Sequence, residues 1–323
     1  MSDRWGIVAT IKAPPREVLD FVAYHLDQGA AQIHVFLDNQ NPRAEAALAG
    51  HPQVSVTRTD GAYWRAGGGK KPAKHQLRQT ANATRCYAGV RDLDWLLHID
   101  VDEFVCPSSR PLGELLAALP EDQLCARLMP AEALCSDEVA GLDPTLTYCK
   151  AWMPRSPQTT ALEQALYPQF GSYLRGGFVS HFIGKILVRT GLPDLEFRIH
   201  RAFRDGQEIA AQDKLGAVDL CHVHVPGWQG WQKLMAYRLE KGSYRAELQP
   251  ARPAASGGMS LHEVFSHLHA EGGAAALRAF FDEVCLARPE LLARLEAEGL
   301  LRRFRLDLGA KRRKHFPGWR RQC

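Results

Sequence analysis

The stretch from Trp95 to Val105, Trp-Leu-Leu-His-Ile-Asp-Val-Asp-Glu-Phe-Val, constrains this chain more than any other. An apolar run that closes on three carboxylates within four residues reads as a buried β-strand delivering Asp100, Asp102 and Glu103 to a sheet edge. Side chains two apart on an extended chain share a face, so Asp100 and Asp102 converge while Val101 is directed away. Carboxylates that close repel unless a cation lies between them, and hard oxygen donors suit Mg2+ or Mn2+. A strand running into an acidic surface turn gives the same isolated Asp-X-Asp. The length of the apolar run favours a metal and phosphate site, because ligands in open α/β sheets gather at the carboxyl ends of strands.

The 46% hydrophobic content of these 323 residues is ample for a core, in one large or two modest domains. No long apolar segment for export or for crossing a bilayer precedes the strand-like Gly6 to Ile11, which predicts a cytoplasmic protein. Cysteines at 86, 106, 125, 135, 149, 221, 285 and 323 form no CxxC pair and read as reduced core thiols. The net charge of +4 hides a basic tail running from Arg302 through Arg321.

Ile7 to Ile11 reads as a first strand, and Pro14-Pro15 opens a helix that Gly29 ends. Gln32 to Leu37 is a second buried strand closing on Asp38, so the β-α-β unit predicts a parallel sheet. The loop from Thr10 to Arg16 lacks GxGxxG, which counts against a nicotinamide or flavin cofactor. Val54 to Thr57 is a third strand, and Gly61 to Lys74 a glycine- and lysine-rich loop that either closes over a phosphate or is simply solvated. His75 to Val90 reads as a helix with Gln76, Gln79, Asn82 and Arg85 on neighbouring turns. Ala131 to Arg175 looks irregular and substrate-facing. Lys185 to Arg189 is a strand with a cation at each end, which pairs with phosphate or with water. Glu196 to Phe203 alternates, and Asp205-Gly206 predicts a hairpin to Ala217–Val225, on which His222 and His224 share a face. Ala251 to Gly258 reads as a linker before two amphipathic helices.

Four stretches carry a family resemblance. Val8 to Lys12 followed by Phe21-Val-Ala-Tyr-His25 resembles the opening strand and "EWxxYH" helix of the glycosyltransferase family 2-like group, although Arg16 to Asp20 departs from its usual Asn-Glu loop. Gln79 and Asn82 with Trp95 to Phe104 resemble its "Q…N…W…DvDEF" segment, Gly184 to Arg189 with His200 its "GKxxVR…H" segment, and Cys221-His222 its later histidine. The resemblance covers roughly residues 5 to 245. It implies an α/β GT-A-like (Rossmann-like) mostly parallel sheet flanked by helices, over residues 1–250, with a helical C-terminal extension and basic tail over 251–323.

What it further implies is a metal-dependent enzyme of the hexosyltransferase class. A sugar would pass with inversion from a nucleotide-diphosphate sugar, foremost a UDP-sugar, to a hydroxyl of a saccharide, lipid-linked or polymeric acceptor. Mn2+ or Mg2+ would sit on Asp102, with Asp100 holding ribose or a metal-bound water and His222 or His224 completing the set; a histidine satisfied by backbone in the core is the competing reading of His222. Thr10 and Asp38 would hold base and ribose, Gln79 would face the donor, and Lys185 and Arg189 would meet phosphate. Inversion needs a general base, for which Asp194, Glu196, Glu132 and Asp137 qualify by position; Asp194 or Glu196 is preferred, though Glu196 equally fits a solvent-facing strand position. Two alternatives stand beside this: a nucleotidyltransferase on the same fold, and a non-catalytic protein whose basic tail binds nucleic acid or the inner membrane face. For the transferase, no nucleic acid is expected and the tail would give peripheral membrane contact.

Overall fold

The computed structural model describes residues 2–154, 156–210, 213–251 and 258–319. In chain order the elements are β1 (Trp5–Ile11), α1 (Pro15–Asp27), β2 (Gln32–Leu37), α2 (Pro42–Leu48), β3 (Val54–Arg58), α3 (Gly61–Ala66), α4 (His75–Gly89), β4 (Trp95–His98), β5 (Glu103–Pro107), α5 (Leu112–Ala117) and β6 (Cys125–Ala133). There follow β7 (Thr147–Ala151), α6 (Pro157–Leu166), β8 (Lys185–Arg189), β9 (Leu195–Phe197), β10 (Ala202–Arg204), β11 (Gln207–Glu208), β12 (Asp213–His222), α7 (Trp228–Glu240), α8 (Leu261–Val284), α9 (Pro289–Ala297), β13 (Leu301–Phe304) and α10 (Leu308–His315). The linker expected at 251–258 falls almost wholly outside the described residues.

Two compact units divide the chain: Met1–Met129 with Ile183–Leu220 and Leu306–Cys323, and Pro130–Phe182 with Cys221–Arg305. The boundary expected at residue 250 therefore falls inside the second unit, and the tail is divided, with Arg302 to Arg305 in the second unit and the chain from Leu306 on in the first.

The first unit is α/β. Its sheet runs β3-β2-β1-β4 in parallel, continued by β8 and the first half of β6 in antiparallel pairing. Every residue of β1 and of β4 is buried, as a strand covered on both faces requires. α1 starts with Pro15 at its first turn and turns its apolar stripe, Val18, Leu19, Val22 and Leu26, into the core. Tyr24 donates from its hydroxyl to the Val105 carbonyl at 2.9 Å, fastening α1 to β5. Gly29, at φ 90°, ends that turn in the left-handed region.

Two expectations change here. The glycine- and lysine-rich loop begins with a helix, α3, whose N-terminal N–H groups at Ala62 and Tyr63 are capped by Asp60. The Asp205-Gly206 hairpin joins β10 to β11, whereas β12 pairs with β5, so the strand carrying His222 is not the hairpin partner.

The second unit fills the region read as irregular. Residues 131–133 of β6 pair with β7, β7 pairs with β13, and Ser156 caps α6 through a capping box with Thr159. Helices α7, α8 and α9 close over a core of Trp231, Phe265, Phe280, Phe281 and Leu291. No helix among the described residues is long and apolar enough to cross a membrane.

Candidate functional site

Register aligns the strand ends of the first unit. Val8 pairs with His98, so Thr10 and Asp100, each two residues further on, stand level, and the pairing of Ile11 with Leu37 puts Asp38 next to them. Helix α4 bonds to all three. Asn82 Nδ2 donates to Thr10 Oγ1 at 3.0 Å, Gln79 Nε2 donates to Asp100 Oδ1 at 2.6 Å, and Arg78 and His75 reach Asp38 Oδ2 at 2.7 and 3.1 Å. Thr10, Asp38, Gln79 and Asp100 are thus brought together by one stripe, His75, Arg78, Gln79 and Asn82, at the i, i+3, i+4, i+7 spacing of a helix face. Arg78 and His75 were missed in the sequence, although their helical spacing from Gln79 and Asn82 was a usable signal; Gln76 is exposed.

The acidic stretch is a turn and not a continuous strand. β4 ends at His98, Val101 and Asp102 form a turn, and β5 starts at Glu103, so Asp100 and Asp102 do not alternate along an extended chain as expected. Glu103 makes that turn. Its Oε2 accepts the Asp100 N–H at 2.9 Å while its own N–H donates to the Asp100 carbonyl at 3.2 Å. Lys185 neutralises it: the buried ammonium bonds Asp100 Oδ2 and lies 3.2 Å from Glu103 Oε2. Burial works to strip its proton, but Asp100 and Glu103 outweigh burial and raise its pKa, so Lys185 is a permanent cation. The expected meeting of Lys185 with phosphate is replaced by this internal pairing. Gly184, at φ 77°, precedes it where a Cβ would lie 2.3 Å from the Leu128 carbonyl oxygen, so only glycine brings β8 in this close. Glu17, at the start of α1, was also missed: burial and the Asp102 charge raise its pKa.

Asp38 has no exposed side-chain surface and meets Lys71 at 2.9 Å besides Arg78 and His75. Burial alone would raise its pKa, but the hydrogen bonds from His75, Arg78 and Lys71 overcome that and hold it far below the usual carboxylate range. Beside it lies a cleft of about 370 Å3 lined by Asn39, Asn41, Arg58, Thr59, Asp60 and Lys71.

Arg189, Asp194 and Glu196 do not join this group. β8 runs antiparallel to β4, so Arg189 pairs with Trp95, at the opposite strand end from Lys185 and roughly 13 Å along the chain from it. Its guanidinium lies over the Trp95 ring at 4.4 Å and donates to the Gln123 and Pro120 carbonyls. Asp194 is an exposed residue at φ 51°, shaped for a turn. Glu196 is paired with Arg198 at 2.8 Å on the small β9-β10-β11 sheet, which is the solvent-facing reading. Strand polarity and surface pairing thus leave Arg189, Asp194 and Glu196 away from the strand ends that hold Thr10, Asp38 and Asp100.

Asp102 belongs to the first unit, and His222 and His224 to the second. Within the second unit, the rings of His181 and His222 are 4.9 Å apart and those of His222 and His224 5.2 Å. Trp231 Nε1 and Arg238 both donate to the Tyr244 hydroxyl, whose hydrogen therefore goes to His224 Nε2 at 3.1 Å. Burial and the Arg238 charge lower the His224 pKa well below its ordinary value, so it is neutral, carries its proton on Nδ1, and has Nε2 committed to Tyr244.

The described part of the basic tail is not a free arm. Arg312 bonds Asp20, and Lys314 and Lys311 meet Asp27, clasping α10 to α1. In the second unit Arg303 bonds Glu296, and Arg305 donates to Thr145. Arg320 and Arg321 lie outside the described residues. The seven described cysteines are buried and none is in a disulfide. Compared with known proteins, the chain matches no protein-family model and no curated protein.

Proposed function

We propose that the first unit is the donor-binding part of a metal-dependent glycosyltransferase of GT-A type, which moves a sugar from a nucleotide-diphosphate sugar, foremost a UDP-sugar, to an acceptor hydroxyl. The observation that carries this reading is the level row of Thr10, Asp38 and the acidic turn at the carboxyl ends of three parallel strands, bonded to a single helix face. Ligands of open α/β sheets bind at such ends. The family resemblance of the stretches around Gln79, Asn82 and Asp102 supports the same assignment.

The residues of the turn fit a hard divalent cation. Asp102 offers carboxylate oxygens from a partly exposed turn, and Glu17 adds a second carboxylate to its surroundings. When bound, Mg2+ or Mn2+ would supply charge neutralisation to a departing diphosphate. The chain's own residues do the rest. Thr10 and the cleft beside Asp38 receive the nucleoside, with Asn39, Asn41 and Thr59 as its polar lining. Lys71, partly exposed, is the one cation of the Asp38 cluster with room to turn toward an anion. Asp38 orients Lys71, His75 and Arg78 and does not itself read the base.

Release of nucleotide from a panel of UDP- and GDP-sugars in Mn2+, compared with release of pyrophosphate from nucleoside triphosphates, tests the proposal. Metal-dependent cleavage of one sugar nucleotide supports it. Turnover of triphosphates alone would move the assignment to nucleotidyl transfer.

A further inference from the structure

Between Asp60 and Asp92 the chain carries seven lysines and arginines and not one acid. The fold accounts for most of that charge. Lys71 and Arg78 are spent on Asp38, and Arg78 also donates to the Pro72 and Ala73 carbonyls. Arg65 has the charge of Asp60 near it, and Arg85 lies over the Tyr63 ring at 4.6 Å. Arg91, past the far end of α4, donates to the Ala88 and Val90 carbonyls. Lys70 and Lys74 remain, both exposed, and neither meets an acid among the described residues. Lys74 even works against its own helix. It is the N-cap of α4, no side chain caps that end and the first turn holds no acid, so its charge opposes the macrodipole. Three residues on, and so beside it, stands Leu77. At 56% exposure it is the most exposed large apolar side chain among the described residues.

We infer that the loop from Gly67 to Lys74 and the first turn of α4 dock on an anionic phospholipid leaflet, with Lys70 and Lys74 at the headgroup phosphates and Leu77 among the acyl chains. The unspent charge selects an anionic partner, and Leu77 selects lipid over nucleic acid. An aliphatic side chain gains nothing from a phosphate backbone, whereas leaving water for an acyl layer raises binding about tenfold or more. The rings that could stack on bases are turned inward: Trp64 and Tyr87 are buried, and the Tyr63 hydroxyl donates to Asn82 Oδ1 at 2.7 Å. In the described tail, by contrast, Lys311, Arg312 and Lys314 are each paired with an acid of α1. Each cation held near an anionic leaflet raises binding about fivefold, so Lys70 and Lys74 together give about 25-fold. Such a contact is peripheral and reversible. Lys71 joins this surface to the cleft beside Asp38, which docking sets at the leaflet. The docking itself does not depend on the donor-site reading.

The test is co-sedimentation of the full chain with vesicles of phosphatidylcholine alone, and of phosphatidylcholine mixed equally with phosphatidylglycerol, at low and at high salt. The wild type should bind the mixed vesicles, leave phosphatidylcholine vesicles unbound, and weaken as salt rises. Lys70→Gln with Lys74→Gln should lower affinity for the mixed vesicles about 25-fold. Leu77→Gln should lower it about tenfold, by a loss that salt does not change. All three side chains are exposed, so the variants keep the wild-type fold, which circular dichroism checks. Three outcomes would overturn the inference. The first is a wild type that binds neither vesicle. The second is binding that both loop variants retain, with loss instead in Arg313→Gln combined with Arg320→Gln and Arg321→Gln, which would move the contact to the tail. The third is binding of a single-stranded DNA oligonucleotide in place of vesicles, unchanged by Leu77→Gln, which would make the loop a nucleic-acid surface.

Discussion

His25 should make stability fall as the solution is acidified from neutral, by an amount that its surroundings fix. It sits on α1 with Nδ1 on the Phe21 carbonyl at 2.8 Å, while Nε2 accepts the Val105 N–H at 3.3 Å, so both nitrogens are committed to the neutral ring. The rings of Phe21, Tyr24 and Phe104 surround it. A proton on Nε2 would face an N–H donor in a buried site. Burial accordingly lowers the pKa from 6.5 to about 3. The unfolded chain takes up a proton near 6.5 and the native chain does not, so the stabilisation is complete above that value and is lost as pH falls toward about 3. At about pH 5 the loss is roughly 2 kcal/mol, from about 1.4 kcal/mol per pH unit over about one and a half units. Urea unfolding at pH 8 and pH 5 should therefore show a pH-dependent loss about 2 kcal/mol smaller in His25→Asn than in the wild type. The fixed cost of the substitution, and the titration of other groups, cancel in that difference. Equal pH dependence in both proteins would refute the picture of a locked neutral imidazole.

Other expectations follow from pairings elsewhere. Glu132, buried in the second unit, accepts the Val179 and Ser180 N–H groups and holds Lys150 at 3.2 Å. Lys150→Met should lower stability by about 3–5 kcal/mol in a denaturant melt, and adding Glu132→Gln should recover much of it. At the α10 clasp, Arg312→Ala leaves the nearly buried Asp20 with Arg16 at 3.4 Å but without its Arg312 bond, and should cost about 1–3 kcal/mol. Lys314→Ala, at an exposed pair, should change thermal stability by less than about 1 kcal/mol, and less again in high salt. Asp38→Asn removes the anchor of Lys71, so trypsin should cut after Lys70 and Lys74 several-fold faster than in the wild type; an unchanged digestion rate would show that the loop is held by other contacts.

Much of the first unit was legible because its signals are local. Pro14-Pro15 and Gly29 bracket α1, and mostly apolar runs mark β1 and β2, whose connection by one helix makes them parallel. The turn at Asp102 was hidden for a physical reason: a side chain that closes a turn by accepting its own neighbour's N–H, as Glu103 does, leaves the apolar-polar pattern unchanged. Lys185 and Arg189 look alike in the sequence, four apart on one strand. Only the antiparallel pairing with β4 puts one at the acidic turn and the other at Trp95, and strand polarity is a tertiary fact. The stripe on α4 was half legible, since helical spacing groups Gln79 with Asn82 but does not reveal that His75 and Arg78 meet an acid forty residues away. The middle of the chain was read as irregular because β7 and β13 pair across some 150 residues, a distance no local pattern spans.

The central claim is tested most directly by calorimetric titration of UDP, then GDP, into the protein with and without Mn2+, repeated on Asp102→Ala. The donor-site account predicts binding of one nucleotide that depends on Mn2+ and is lost in the variant while the fold, followed by circular dichroism, is retained. Binding of neither nucleotide under any metal condition, or binding that Asp102→Ala leaves intact, would contradict it.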